Sequence, residues 1–323
     1  MDTENDKQGL IGLGDVLAAA KRIAGYIRRT PLLRADQCAE PIGDADLWLK
    51  LENLQPTGSF KARGATNKLL TTPRAALAKG IVTASGGNHG LATARAARLA
   101  GVPATVFVPE TVAAEKVDKL RRWGAEVRKR GALWDEANRE AIDFAERAGA
   151  VYFHPFADPA VVAGQGTLGI EILDELGDVE TLIVAIGGGG LIAGIATAVK
   201  ARQPSVRIIG VEPVGSPTLH RSLAAGRVVR LPEVTTRVAT MACGMTEEPI
   251  FEIVRRSVDE VVLIKDDDML DAARWLWFEF GIAADLSGAA AVAALRAGRV
   301  RTNPGERVCG LVCGAGSEGV SAA

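Results

Sequence analysis

The sequence predicts an α/β protein in which open, mainly parallel β-sheets are covered by helices on both faces. Short apolar segments recur between longer segments of helical character, an alternation that is typical of β-α units. The chain has 323 residues, of which 48% are hydrophobic, and this is enough for one large core or two modest ones. No internal repeat or low-complexity segment interrupts the alternation.

The individual elements follow from periodicity and residue type. Strands are predicted where short runs are apolar and rich in β-branched residues, and helices where alanine, leucine and charged residues recur over longer stretches. In chain order, the predicted strands are 47–51, 81–84, 105–108, 127–129, 151–153, 181–186, 207–211, 261–264 and 307–312. The predicted helices are 90–99, 113–123, 135–148, 167–176, 191–200 and 266–280.

Charge and cysteine content exclude several classes of protein. The 38 Lys and Arg residues nearly balance the 39 Asp and Glu residues, and no basic stripe is interleaved with aromatic residues, so no nucleic acid partner is expected. The four cysteines contain no Cys-x-x-Cys pair and indicate no disulfide framework. No apolar run reaches membrane length, and residues 1–8 are polar and acidic, unlike a signal peptide. We therefore expect a cytoplasmic protein without a membrane partner.

Lys61 is the most informative residue of the chain. It follows strand 47–51 and a Pro-Thr-Gly turn, and it stands in the first turn of a helix predicted to begin at Ser59. The positive end of the helix dipole and partial burial both disfavour an ammonium group, so this amine can lose its proton and attack an aldehyde to form an imine. A lone lysine is usually a solvated surface residue, so the interpretation depends on a second motif.

The second motif is a run of four glycines, Gly187, Gly188, Gly189 and Gly190. The run follows strand 181–186 and precedes helix 191–200, which begins with Leu191, and this arrangement aims several backbone N–H groups at one anion. Neither Gly-x-Gly-x-x-Gly nor Gly-Lys-Ser/Thr is present, so a single compact phosphate is favoured over a dinucleotide or a nucleoside triphosphate. A plain turn without a ligand does not require the entropic cost of four glycines.

An imine-forming lysine and a cradle for one phosphate together indicate pyridoxal 5'-phosphate as the cofactor. Around these residues the sequence resembles the serine/threonine dehydratase and serine racemase branch of the fold type II, tryptophan synthase β-like, pyridoxal-phosphate enzymes. The motif of that branch, Glu-Asn-Leu-Gln-Pro-Thr-Gly-Ser-Phe-Lys-x-Arg-Gly-Ala, is matched from Glu52 to Ala65 with Ala62 at the variable position. The resemblance extends from about Thr30 to Gly316.

The resemblance implies two parallel-type open sheets, a division of the chain and a set of site residues. A large cofactor-binding domain is expected from residues 1–79 and 153–323, and a small inserted domain, carrying part of the substrate loop, from residues 80–152. Lys61 is the expected catalytic residue. The other expected cofactor-binding residues are Phe60, Asn88, Gly187, Gly188, Gly189, Gly190, Leu191 and Cys313. The expected substrate-binding residues, from the motif Thr83-Ala-Ser-Gly-Gly-Asn-His-Gly90, are Ser85, Gly86, Gly87, Asn88 and His89.

Three of these residues have specific roles in the resembled branch. Asn88 is expected to hydrogen-bond the ring oxygen of the cofactor. Cys313 is expected to face the pyridine nitrogen with a neutral thiol, a weak donor that favours rapid loss of a β-leaving group over a long-lived carbanion. His89 can be interpreted as a base or as a residue that shapes the loop, and we favour the second because the lysine transfers protons in this branch. Small buried side chains are expected at Cys38, Cys243 and Cys309.

Two departures from the family pattern bear on mechanism. The substrate loop has Gly86 where racemase-like sequences have a serine that moves a proton on the opposite face of the substrate, so racemisation is disfavoured. Some relatives bind a divalent cation with a glutamate and a second acidic residue. Glu212 matches the first position but Thr218 occupies the second, and one carboxylate is too few for a tight site, so no metal is expected.

The expected reaction is β-elimination from a small hydroxy amino acid, L-threonine or L-serine, giving a 2-oxo acid and ammonia, in a homo-oligomer that the resemblance implies is a dimer. Residues 240–247 depart from the segment common in threonine dehydratases, so 3-hydroxyaspartate or an intermediate of compatible-solute breakdown stays open as a substrate. A racemase or a β-replacement enzyme would share the cofactor residues, as would a non-catalytic cofactor-binding protein. Because the chain ends soon after Cys313, no C-terminal regulatory domain is expected.

Overall fold

Two open β-sheets organise the chain in the computed structural model, which describes residues 10–320. Within these residues the strands are β1 Leu32–Arg34, β2 Asp46–Lys50, β3 Ile81–Ala84, β4 Ala104–Val108, β5 Ala125–Lys129, β6 Val151–Tyr152, β7 Thr181–Ala185, β8 Arg207–Pro213, β9 Glu260–Ile264 and β10 Arg307–Leu311. The helices are α1 Leu13–Ile23, α2 Lys61–Thr71, α3 Asn88–Ala100, α4 Ala114–Arg122, α5 Trp134–Ala148, α6 Pro159–Glu175, α7 Gly190–Arg202, α8 Thr218–Ala225, α9 Glu248–Ser257, α10 Asp266–Phe280 and α11 Leu286–Arg296.

The strand order is β1-β2-β10-β7-β8-β9 in the larger sheet and β5-β4-β3-β6 in the smaller one. Neighbouring strands run parallel, except that β1 pairs with β2 in antiparallel register. Strands β4 and β7 are buried along their whole length, because a parallel strand covered by helices has no face in water. The predicted α/β class with parallel sheets is confirmed.

Most predicted elements lie at or near the expected residues, and capping explains the largest difference. Helix α6 begins at Pro159 rather than at residue 167, because the Asp158 carboxylate accepts hydrogen bonds from two backbone N–H groups of the first turn at 2.9 and 3.3 Å. The sequence analysis missed α1, α8, α9 and α11. No helix within residues 10–320 is long and apolar enough to cross a membrane, and the polar segment 1–8 lies outside the described residues.

Helix α2, which begins with Lys61, lies directly against the backbone of α6. A Cβ atom on Gly164 would lie 2.7 Å from the Cα atom of Gly64, so a side chain at Gly164 would collide with the backbone of α2. This close approach holds the turns that follow Lys61 against a helix of 17 residues.

A buried network of charges joins the same helices to β2. Arg63 is completely buried and donates through Nε and Nη2 to Glu52 at 2.7 and 2.8 Å, and through Nη1 and Nη2 to Glu171 at 2.7 and 2.8 Å. Lys50, also buried, lies 3.3 Å from Glu171 and 3.0 Å from Glu175. Burial alone would raise the pKa of Glu52, but the charge and hydrogen bonds of Arg63 outweigh it, so this pKa is lowered. We call these five residues the Arg63 network.

Removal of one charge from the Arg63 network should be costly. Arg63→Met is expected to lower the free energy of unfolding by about 3–5 kcal/mol, because Glu52 would stay buried without its counter-charge. Adding Glu52→Gln should recover part of that loss. Urea unfolding followed by circular dichroism measures both effects. Arg255→Met, which breaks an exposed pair with Glu252, serves as the control and should change stability far less than Arg63→Met does. An Arg63→Met loss no larger than that of the control would contradict the prediction.

Candidate active site

The carboxyl ends of β3, β7 and β10 lie near the first turns of α2, α3, α7 and α11. Two contacts join some of these ends. Asn88, at the start of α3, donates a hydrogen bond to Asp285, the residue before α11. Ser59, before α2, forms a bridge with Gly314, just beyond β10. Open parallel sheets bind ligands at the carboxyl ends of their strands. This region is therefore the candidate active site.

Lys61 is partly buried at the start of α2. Its Nζ atom donates a hydrogen bond to the carbonyl oxygen of Pro155 at 2.7 Å and lies 5.1 Å from the centre of the Phe60 ring. Burial lowers the pKa of Lys61 to about 8, against a smaller opposing effect of the Cys313 and Cys243 thiols. The amine therefore loses its proton far more readily than an ordinary lysine, whose pKa is about 10.4.

The sequence predicts a helix start at Ser59, but α2 begins at Lys61. The difference arises because the residues before Lys61 are tied to the end of β10. Ser59 is extended, with φ −161° and ψ 162°, and forms an antiparallel bridge with Gly314. The N–H group of Phe60 donates to the carbonyl oxygen of Cys313 at 3.2 Å. These bonds fix the position of the lysine relative to Cys313.

The glycine run 187–190 is tightly enclosed and opens α7. A Cβ atom on Gly188 would lie 2.2 Å from the Phe156 ring, and Gly189 has a φ of 92°, which side chains disfavour. The first N–H groups of α7 have no acceptor within the helix, and the second residue of the helix, Leu191, is buried. A helix start with free N–H groups favours a bound anion, so the anion cradle at residues 187–190 stays a prediction.

Residues 85–87 form the loop that leads from β3 into α3, and α3 begins at Asn88 rather than at residue 90. Asn88 and His89 therefore lie in the first helical turn. The Oγ atom of Ser85 accepts a hydrogen bond from the N–H group of Gly87 at 3.3 Å. Gly86 is crowded, because a Cβ atom there would lie 2.9 Å from Cγ2 of Val112.

His89 connects the loop of residues 85–87 to the end of β6. Its Nε2 atom lies 3.0 Å from the carbonyl oxygen of Phe153, and because a carbonyl only accepts, Nε2 carries the hydrogen. Burial lowers the pKa of His89 to about 3, the positive charge of Lys61 adds to this, and the bond to Phe153 opposes it. An imidazole with so low a pKa binds a proton only weakly, which favours the loop-shaping interpretation over that of a base.

Cys313 is buried at the end of β10 and its Sγ atom donates to the carbonyl oxygen of Ser287 at 3.3 Å. Burial and then the charge of Asp285 raise the pKa of the Cys313 thiol, so the thiol stays neutral.

Cys309 is buried as expected, but the same expectation was wrong for Cys38 and Cys243, which are partly exposed. None of the four cysteines forms a disulfide.

Sequence analysis missed three contributors to this region. The carboxylate of Asp285 accepts a hydrogen bond from the Asn88 amide at 3.0 Å, the Pro155 carbonyl holds Lys61, and the Phe156 ring covers Gly188. Asp285 had a signal, since an aspartate before an alanine-rich segment is a helix N-cap pattern. The Pro155 carbonyl had none, because every residue carries a carbonyl.

Glu212 is occupied as a helix cap. Its Oε1 and Oε2 atoms accept hydrogen bonds from the N–H groups of Leu219 and His220 at 2.8 and 2.9 Å, at the start of α8. Burial raises the pKa of Glu212 to about 7, with these hydrogen bonds opposing the rise. Within residues 10–320, no group of three or more His, Cys, Asp or Glu side chains is placed to hold a metal ion.

Comparison with known proteins places these residues in a family context. A family model described as "Pyridoxal-phosphate dependent enzyme" matches residues 23–314. The L-threonine ammonia-lyase of Geobacter sulfurreducens is 45% identical over 293 residues, which cover 91% of this chain and 73% of the relative. Maize serine racemase aligns with a TM-score of 0.89 and 32% identity over 94% of this chain and 93% of the other. The processed threonine deaminase isoform 2 of Solanum lycopersicum aligns with a TM-score of 0.86 and 33% identity, over 94% and 83%.

The low pKa of His89 has a consequence for stability in acid. The unfolded chain, with a histidine pKa of about 6.5, binds a proton that the folded protein rejects until the pH approaches about 3. Above about pH 6.5, the contribution of His89 to the free energy of unfolding should be complete. Below that pH, acidification should reduce the free energy of unfolding by up to about 1.4 kcal/mol per pH unit.

His89→Gln tests this origin, because Gln retains an N–H donor for Phe153 but does not titrate. Between pH 6.5 and 4 the variant should lose less of its free energy of unfolding than the parent, while His154, whose pKa burial and then the Lys61 charge lower to about 4, contributes equally to both. Urea unfolding at each pH gives the comparison, and NMR titration of the imidazole gives the pKa directly. A His89 ring that titrates near pH 6.5 in the folded protein would refute the prediction.

Proposed function

The chain belongs to the pyridoxal-phosphate dependent enzyme family, and from that premise we propose that it is an ammonia-lyase that converts a small hydroxy amino acid, L-threonine or L-serine, into a 2-oxo acid and ammonia. The observation that carries the proposal is Lys61, an amine with a pKa of about 8 at the start of α2, in the same site as a glycine cradle at the start of α7. The L-threonine ammonia-lyases among the relatives support the reaction class.

The residues present fit pyridoxal 5'-phosphate. Side chains on Gly188 and Gly190 would collide with Phe156, so the run 187–190 offers a phosphate only backbone N–H groups. Lys61 supplies an amine, Asn88 an amide N–H and Cys313 a neutral thiol as donors. When bound, this cofactor supplies an electron sink for the electron pair left at the α-carbon. The residues that would hold it are Phe60, Lys61, Asn88, Gly187, Gly188, Gly189, Gly190, Leu191 and Cys313.

In this proposal Lys61 moves the proton. A pKa of about 8 leaves a fraction of Nζ as the free amine near neutral pH, and this atom accepts the α-proton of the substrate. The Pro155 carbonyl then holds the ammonium through the hydrogen bond already present. Because its thiol stays protonated, Cys313 would face the cofactor ring as a neutral group that transfers no proton, and its single S–H hydrogen, which the Ser287 carbonyl accepts in this structure, would turn to the ring.

The start of α3 binds the substrate carboxylate. Helix N-termini favour anions through their free N–H groups and their dipole, and the bond between Phe153 and His89 holds this turn in place. The hydroxyl group on the β-carbon leaves as water once the α-proton is gone. The residues proposed to bind the substrate are Ser85, Gly86, Gly87, Asn88 and His89.

We propose that the substrate side chain is neutral. The thiols of Cys313 and Cys243 act on the pKa of Lys61, and the two imidazoles on which the Lys61 charge acts, His89 and His154, stay neutral because their pKa values are lowered to about 3 and about 4. An acidic side chain such as that of 3-hydroxyaspartate needs a cation to bind. Segment 240–247 is proposed to line the side-chain pocket, because Thr240 lies 3.7 Å from where a Cβ atom on Gly87 would stand.

Three further features stay proposals. The division into residues 1–79 with 153–323 and an inserted domain, residues 80–152, is supported by the smaller sheet, all of whose strands fall within the inserted range. A homodimer is implied by the family resemblance, and the exposed apolar side chains of Tyr26 and Leu54 are proposed to lie in its interface. A cytoplasmic location rests on the sequence alone.

The function is tested by assaying 2-oxo acid and ammonia release from L-threonine, L-serine and 3-hydroxyaspartate. L-Threonine or L-serine should give the highest kcat/KM, and Lys61→Ala should reduce turnover by ~10³-fold or more, because it removes the group that accepts the α-proton. Lys68→Ala, on the same helix and paired with Asp158, should retain activity.

Borohydride reduction followed by peptide mapping locates the lysine that carries the cofactor. The label should appear on Lys61 in the parent and be absent from Lys61→Ala. A label on another lysine, or a preference for 3-hydroxyaspartate, would overturn the corresponding part of the proposal.

Gly86 is expected to limit racemisation. In deuterated water, L-serine should give pyruvate with little D-serine, because the loop has no hydroxyl group at this position. The double variant Gly86→Ser with Val112→Ala supplies the hydroxyl and removes the Cγ2 atom that a Cβ at residue 86 would meet at 2.9 Å. It should raise the ratio of D-serine to pyruvate by ~10-fold or more.

Val112→Ala alone is the matched control, since it opens the same space without a hydroxyl group, and its product ratio should stay at that of the parent. Chiral chromatography of the products gives the ratio. Comparable racemase and lyase rates in the parent would show that another group supplies the second proton.

A further inference from the structure

Asp285 is a buried residue whose carboxylate has no role in the proposed reaction. It precedes α11, and its Oδ1 atom accepts hydrogen bonds from the N–H group of Gly288 and the hydroxyl of Ser287, each at 2.6 Å. Its Oδ2 atom accepts from Nδ2 of Asn88 at 3.0 Å, and its own N–H group donates to the carbonyl oxygen of Gly314 at 3.0 Å. One residue thus connects the start of α11, the start of α3 and the end of β10.

The surrounding glycines give this contact its space. A Cβ atom on Gly314 would lie 2.6 Å from Oδ2 of Asp285 and 2.9 Å from Nδ2 of Asn88. A Cβ atom on Gly288 would lie 2.3 Å from the carbonyl oxygen of Gly314. The bond between Asp285 and Asn88 therefore lies directly against Gly314, one residue beyond Cys313.

The chemistry of the two side chains fixes the orientation of the Asn88 amide. A carboxylate only accepts hydrogen bonds, whereas an amide has two N–H donors on its nitrogen and an acceptor on its oxygen. Because Oδ2 of Asp285 accepts from Nδ2, the amide nitrogen must turn toward Asp285. One N–H group is used in this bond and the second is left for another acceptor.

We propose that Asp285 is a positioning residue of the cofactor site: its carboxylate orients the Asn88 amide so that the second N–H group is available to the ring oxygen of the cofactor. This inference rests on the proposed function, because it takes Asn88 to be a cofactor ligand. The same carboxylate adds to burial in raising the pKa of Cys313, so it also keeps the thiol proposed to face the ring in its neutral form.

Asp285→Asn separates this role from helix capping. Asparagine is as good an N-cap as aspartate, and its single oxygen is expected to stay with Gly288 and Ser287. Its amide nitrogen would then face the nitrogen of Asn88, donor against donor. The Asn88 amide should turn, and the affinity for pyridoxal 5'-phosphate should fall about 10-fold, with a shift of the visible absorption band.

Thermal unfolding of the cofactor-free protein is the readout for capping, and Asp285→Asn should leave its midpoint within about 2 °C of the parent. Ser287→Ala is the matched control. It removes a hydrogen bond to the same carboxylate but leaves the bond to Asn88 and the Ser287 carbonyl that accepts from Cys313, so its affinity should stay within about twofold of the parent. Equilibrium titration with pyridoxal 5'-phosphate gives the affinities.

The exchanged pair Asn88→Asp with Asp285→Asn restores a donor and an acceptor across the contact but leaves residue 88 with no N–H group for the cofactor. Its thermal midpoint should stay within about 2 °C of the parent, and its affinity for the cofactor should stay at least as low as that of Asp285→Asn. Recovery of parent affinity in the exchanged pair, or parent affinity and spectrum in Asp285→Asn, would overturn the positioning role. Asn88→Ala tests separately whether Asn88 is a cofactor ligand. If this variant binds the cofactor as the parent does, the assignment of Asn88 under the proposed function fails as well.

Discussion

The double hydrogen bonding of Arg63 to Glu52 and Glu171 is the interaction on which the rest of the site depends. Arg63 lies two residues after Lys61 on α2, Glu52 lies just before the turn that leads into that helix, and Glu171 belongs to α6. A guanidinium that forks onto two carboxylates has little freedom to rotate or slide. The network therefore fixes the rotation of α2 about its axis, and with it the direction in which Lys61 points.

The titratable side chains at the centre of the site contrast with those of the Arg63 network, because burial favours their neutral forms. Burial favours the neutral forms of Lys61, His89 and Cys313, so that the pKa values of the amine and the imidazole are lowered to about 8 and about 3 and that of the thiol is raised. Of these three, only the amine changes protonation near neutral pH. In the proposed reaction, proton transfer therefore falls to Lys61, and the other two groups hold or orient what surrounds it.

The sequence was sufficient for the parts of the molecule that are encoded locally. The alternation of strands and helices, the glycine run and the lysine after a Pro-Thr-Gly turn are each contained in a short segment, and the structure has them at or near the expected residues. Asp285 could not be assigned to the site in this way, because its partner Asn88 is 197 residues away in the chain. The carbonyl of Pro155 escaped for a different reason, since a backbone atom has no residue type that could signal its role.

The surroundings of Gly86 show why the missing hydroxyl is not an isolated change. The space that a side chain at residue 86 would need is taken by Cγ2 of Val112, 2.9 Å from the position of a Cβ atom. A serine at this position would therefore require Val112, in the loop after β4, to move as well. Since β4 and β3 are neighbours in the smaller sheet, the space beside Gly86 is filled by the apolar side chains of Val108 and Val112. In the proposed reaction, elimination needs only Lys61 for proton transfer, so this packing favours elimination over racemisation.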